Sequence, residues 1–189
     1  MKTKGGAHQV LNKLCREIDI PKILVTDGAK GEYFGEWGCI VKEHLIDQRR
    51  TDPNSGWQNR CEGEIRELKK HHRRIMSLNK FPKAFWDFGW SYTLELQQFL
   101  AREASNDRPP KELVISTQVD ISEYMDFEFY GFIKYVDEVD YPHQQRNLGR
   151  WLGISHKVGS PMTYWVLKQN GQVIPQSTVQ PLAHEEWID

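Results

Sequence analysis

The first two thirds of the chain space their hydrophobic residues helically, and the last third alternates them. Val10, Leu11, Leu14, Cys15 and Ile18 lie on one face of a helix expected over 7–18. Asp19-Ile20-Pro21 ends it, and Ile23-Leu24-Val25-Thr26 reads as a buried strand that delivers Asp27 to its C-terminal end. Trp37, Ile40, Val41 and Leu45 predict a short amphipathic helix over 36–45, and 46–51 a short edge strand. Asp52-Pro53-Asn54-Ser55-Gly56 is a loop by its turn chemistry.

A long helix is expected from Trp57 to Ser77, with two stripes. Trp57, Cys61, Ile65, Leu68, His72 and Ile75 recur at core spacing. Gln58, Glu62, Arg66, Lys69 and Arg73 form a second stripe, one residue offset and about 100° round the axis. A further helix is expected over 83–104, its aromatics serving as packing, followed by a loop at 105–110. From Asp126 the texture changes to short strands at 127–135, 151–154, 162–167 and 173–175, with Gln169-Asn170-Gly171-Gln172 as a hairpin turn. Strands this short and this closely spaced suggest a small β-barrel. The expected fold class is therefore α/β, mostly helical, followed by a small all-β barrel-like domain. The division is 1–108, a linker at 109–125, and 126–189.

Composition narrows this picture. Among 189 residues, 39% are hydrophobic and 12% aromatic, enough for a core. Mean hydropathy is −0.66, and no apolar run approaches the roughly 18 residues of a membrane span. The first residues, Met1-Lys2-Thr3-Lys4-Gly5-Gly6, lack the apolar core of a secretion signal, so an intracellular protein without membrane partners is expected. Cys15, Cys39 and Cys61 are odd in number and widely spaced, which favours small packed thiols over a zinc knuckle or a disulfide framework. Net charge is −1, but Lys69-Lys70-His71-His72-Arg73-Arg74 concentrates positive charge on the long helix. Such a run is a solvated helix face or a phosphate-binding one.

The chemistry the spacing permits is metal-dependent. An acid at a strand end and a second in the first turns of a helix can share divalent ions, the arrangement of two-metal phosphoryl transfer. Asp27 and Glu62, with 34 residues between them, are the candidates for catalysis and for Mg²⁺ or Mn²⁺. Arg66, Lys69 and Arg73 would meet phosphates, and Gln58 a nucleotide end. The same residues have plainer uses. Asp before Gly is a turn residue, and Glu near a helix start serves the dipole.

Taken in order, these segments resemble the integrase of copia-type LTR retrotransposons, a member of the D,D-E superfamily with an RNase H-like core. Thr26-Asp27-Gly28-Ala29-Lys30-Gly31-Glu32-Tyr33-Phe34 looks like the family's block at its second acid. Asp52-Pro53-Asn54-Ser55-Gly56-Trp57-Gln58-Asn59-Arg60-Cys61-Glu62 resembles the Pro-bearing loop, Gln-x-Asn-Gly and third acid, with Arg60 where the family has Gly. Phe81-Pro82-Lys83-Ala84-Phe85-Trp86, Pro110-Lys111-Glu112 and Leu148-Gly149-Arg150-Trp151-Leu152-Gly153 are similar to later blocks. The likeness covers about residues 8–187.

It implies DNA integration, by 3′-end processing and strand transfer with Mg²⁺ or Mn²⁺. Asp27 and Glu62 would be the second and third acids, and Gln58, Asn59, Arg66, Lys69 and Arg73 the nucleic-acid contacts. It further implies DNA partners, a homo-oligomer in the full integrase, and a nuclear or virus-like-particle location. The first acid should precede Asp27 on a strand, yet Met1–Arg16 holds none, and Glu17 and Asp19 sit at a helix end. The chain is accordingly expected to be a C-terminal segment of such an integrase, incomplete and inactive alone. Two alternatives stand beside it: a catalytically dead remnant that only binds nucleic acid through the helix at 57–77, or a chromatin- or partner-binding barrel with the helices as scaffold.

Overall fold

The computed structural model describes residues 6–26, 34–52, 60–136, 146–159 and 161–182. Two compact units form, Met1–Glu67 and Leu68–Asp189.

The first unit is built on a strand-helix-strand crossover. Helix α1 (Ala7–Glu17) leads to strand β1 (Ile23–Thr26), helix α2 (Glu36–Glu43) and strand β2 (Asp47–Arg50). β1 and β2 pair in parallel, Ile23 opposite Asp47 and Thr26 opposite Arg50. Parallel neighbours need a crossover between them, and α2 lies within this one. Leu11, Ile40, Val41 and Ile46 form the buried core, with Leu14, Cys15, Leu24 and Trp37 against it. β1 departs from the buried strand expected of its apolar run. Leu24 and Thr26 turn inward, while Ile23 and Val25 are 49% and 55% exposed. Side chains alternate along a strand, and a core on one face leaves the other uncovered.

Helix α3 (Arg60–Leu78) carries the unit boundary between Glu67 and Leu68. Its apolar stripe is half used: Leu68 is buried, His72 and Ile75 are half-buried, and Cys61 and Ile65 are exposed. Cys39 is exposed as well, so only Cys15 packs as anticipated.

In the second unit a turn of 3-10 helix (Lys83–Phe85) leads into α4 (Trp86–Phe99). Gly89 lets α3 lie close, since a Cβ there would stand 3.2 Å from His72 Cε1 and Met76 Sδ. The stretch expected as a linker carries two short helices, α5 (Pro110–Ile115) and α6 (Ser122–Met125). Tyr124 of α6 packs on Phe99 at 4.9 Å and on Trp151 at 6.5 Å between ring centres.

Five antiparallel strands follow: β3 (Phe132–Val136), β4 (Arg146–Ile154), β5 (Tyr164–Lys168), β6 (Val173–Gln176) and β7 (Val179–Pro181). Their order is β6-β5-β4-β3-β7. A flat sheet would put its two edge strands about 19 Å apart. Only Ser177 and Thr178 join β6 to β7, a reach of at most about 11 Å from Gln176 to Val179. The sheet must therefore curl on itself, the barrel-like form expected from the strand spacing. The hairpin turn stands where the sequence put it, with Lys168 N–H donating to the Gln172 carbonyl at 2.8 Å. Phe127–Gly131, expected as strand, is not strand. Tyr130 takes a positive φ of 63°, and Phe127 stacks on Trp151 at 5.6 Å.

The core of this unit is aromatic. Trp151 is fully buried and touched by Tyr92 from α4 as well as by Phe127. Phe85, Phe88 and Tyr92 pack on the sheet, so the helices before 108 share one core with the strands after 126. Among the described residues no helix is long and apolar enough to cross a membrane.

Candidate functional site

Thr26 closes β1 and is buried. Thr51 N–H donates to its carbonyl at 2.9 Å, and Gln48 Nε2 donates to its hydroxyl at 3.3 Å. The strand end is thus pinned by its parallel partner and the residue after it. Asp27, Gln58 and Asn59, named from the sequence, lie outside the described residues.

Glu62 sits in the first turn of α3, exposed. A carboxylate there faces the positive end of the helix dipole, and its oxygens remain open to solvent or to a cation. Arg66, Lys69 and Arg73 are exposed. At about 100° per residue they stand within about 40° of Glu62 round the axis. Leu68 lies about 120° away on the other flank, and its burial turns the charged side outward. Beyond Arg73 the same side carries Met76, packed against the aromatic core, where the charged face ends. One acid and three cations thus follow one another along about 16 Å of helix. Among the described residues no three His, Cys, Asp or Glu side chains converge as metal ligands.

Two further features of the second unit were not singled out from the sequence. The first is a cleft of about 240 Å³ between α4 and the sheet, with Phe88, Tyr92, Leu152 and Trp165 among its walls. At its mouth Glu95 Oε1 pairs with His156 Nε2 at 2.9 Å, and Tyr124 donates its hydroxyl to Glu95 Oε2 at 2.6 Å. Burial first, and the Glu95 carboxylate second, push the Tyr124 hydroxyl far above the usual tyrosine range. Tyr92 is raised by burial and by Glu128 and Glu95.

The second is a groove over β3, β4 and β5. Arg150 lies on the rings of Phe132 and Tyr130, its guanidinium carbon 3.8 Å and 4.3 Å from their centres. Its Nη1 donates to the Tyr130 carbonyl at 2.8 Å. The alternation at 127–135 and the basic residue within Leu148-Gly149-Arg150-Trp151 were the available signals. Neither shows that the two meet.

No family model matches the chain, and no curated protein matches it. Among solved structures it is similar to a chain from the cryo-EM structure of a simian T-cell lymphotropic virus intasome in complex with PP2A regulatory subunit B56 gamma. The two share 14% identity at a TM-score of 0.46, over 97% of this chain and 67% of that one.

Proposed function

We propose that the chain is a segment of a copia-type retrotransposon integrase that engages DNA through α3. One observation carries the reading: Glu62 in the first turn of a helix whose same face presents Arg66, Lys69 and Arg73 to solvent. The order of sequence blocks that resemble the family supports it. So does the parallel β1–β2 pair, whose first strand ends at the residue before Asp27.

In this reading the three cations neutralise successive phosphates, and Gln58 and Asn59 meet the nucleotide beside them. Asp27 and Glu62 would hold Mg²⁺ or Mn²⁺, and their oxygen donors suit a hard cation. Bound there, the ion would polarise a phosphodiester and activate a water or 3′-hydroxyl. The full integrase would act as a homo-oligomer on element ends and target DNA.

Arg60, where the family has Gly, favours a second reading, a DNA-binding remnant without catalysis. Duplex DNA binding by the purified chain tests the first step. Replacing Arg66, Lys69 and Arg73 with Ala together should weaken it more than about ten-fold at low salt. Unchanged affinity removes α3 from the interface. Glu62→Gln then separates the two readings. Loss of a Mg²⁺ response with DNA binding retained supports the integrase segment, and no Mg²⁺ response in either protein supports the remnant.

A further inference from the structure

The groove over β3, β4 and β5 consists of two adjoining cavities of about 260 and 210 Å³ that share Leu148, Lys168 and Gln169. Three properties define what it can hold. Its cation beside Phe132 and Leu148 is Arg150, and the described residues that line the larger cavity include no Asp or Glu. Its floor is apolar, formed in part by Phe85 and Leu167, while Phe132 and Leu148 remain 40% and 41% exposed. Its main donor is set in advance. The contacts of Arg150 with two rings and one carbonyl fix the guanidinium, whose Nε and Nη2 edges carry further N–H groups. A fixed planar fork selects a carboxylate and loses little entropy on binding it.

We propose that this face receives an acidic peptide segment of a partner protein, with one apolar side chain in the larger cavity and a flanking carboxylate on Arg150. The larger cavity has room for a single apolar side chain. The geometry favours a peptide over a nucleic-acid strand. Single strands bind by stacking bases on open aromatic faces. Here the Arg150 guanidinium lies on the rings of Tyr130 and Phe132 that would serve. The apolar floor rewards a hydrocarbon side chain rather than a phosphodiester. The inference is independent of the charged face of α3.

An array of short fluorescein-labelled peptides tests it, each with a central Leu, Ile or Phe flanked by Glu, read by anisotropy with the full chain. Controls carry Gln for Glu or Gly for the central residue, and an oligothymidylate strand is titrated in parallel. The best peptide should bind about ten-fold more tightly than either control. Arg150→Gln should lower that binding about ten-fold, and Arg150→Lys, which keeps charge without the fork, should recover only part of it. Leu148→Asp puts a negative charge on the exposed rim without touching the buried core, and it should weaken binding similarly if Arg150→Gln fails to fold. Equal binding of Glu and Gln peptides, or insensitivity to both Arg150→Gln and Leu148→Asp, overturns the proposal. So does oligothymidylate binding tighter than any peptide and lost in the same variants, which would make the groove a nucleic-acid face.

Discussion

The double substitution Lys69→Ala plus Arg73→Ala gives the sharpest reading of α3, because its effect has a predictable dependence on salt. From Arg66 to Arg73 the helix rises about 10 Å, roughly three nucleotide steps along one DNA strand at about 3.4 Å each. Each of the three exposed cations can therefore meet its own phosphate. Every phosphate neutralised contributes about −0.9 to the slope of log K against log salt, so the face contributes about −2.7 and the double variant about −0.9. Between about 50 and 200 mM salt the wild-type contribution falls about 40-fold and the variant's about 3- to 4-fold. The affinity ratio of the two proteins should thus shrink about twelve-fold over that range, whatever other contacts exist. Loss of the fold is a poor alternative explanation. Both positions are exposed and Ala favours a helix at least as well as Lys or Arg, while the anchor Leu68 is untouched. Fluorescence anisotropy of a labelled duplex across a salt titration is the measurement. An affinity loss of the same factor at every salt concentration would refute the phosphate contacts, even if the loss were large.

Three further outcomes follow from the same structure. Mn²⁺ binding, followed by electron paramagnetic resonance, should weaken in Asp27→Asn and in Glu62→Gln, and the double variant should be little worse than either single one because the two share ions. Unchanged binding in Glu62→Gln would leave that carboxylate a helix-dipole residue. Gly149→Ala should destabilise the second unit by about 1–3 kcal/mol, since the new Cβ would stand 2.7 Å from Val166 Cγ1 and 3.1 Å from the Leu167 carbonyl. An unaltered thermal midpoint would show that β4 and β5 can separate freely. Tyr124 keeps its proton in the folded chain to higher pH than in the unfolded one, so the stability this confers is complete below about pH 10 and declines as pH rises beyond it. Urea midpoints measured between about pH 9 and 11 should fall more steeply for wild type than for Tyr124→Phe. Parallel profiles would remove Tyr124 from the alkaline response.

Periodicity located the elements and misjudged their surroundings. The helices at 7–17, 36–43 and 60–78 and the hairpin turn at 169–172 were legible because local spacing and turn chemistry specify them. Ile23, Val25, Cys61 and Ile65 were placed on apolar faces for the same reason and are exposed. A repeat states which side of an element is apolar and says nothing about what covers that side. The stretch around 108 shows a different limit. Composition changes there, but Phe85, Phe88 and Tyr92 meet Trp151 and its neighbours across a long stretch of chain. That contact is set by tertiary packing and leaves no local mark. The groove was hidden for the same reason, since Arg150 and Phe132 come together only through strand register.

The charged face of α3 shows how a local pattern acquires consequence. Its cations lie one residue out of step with the apolar stripe, so burial of Leu68 fixes their direction as well as its own. Rolling the helix by one position to bury Lys69 would desolvate an ammonium and expose Leu68, and both changes are unfavourable. The outward direction of Arg66, Lys69 and Arg73 is thus enforced by the core, and Glu62 on the same side shares it. Exposure alone describes a solvated helix as well as a DNA-binding one. The two differ in whether counterions are released when DNA arrives, and each released ion has a fixed effect on the salt slope. A slope unchanged by removing Lys69 and Arg73 would therefore assign the whole face to solvent, and with it the placement of Glu62 beside a phosphodiester.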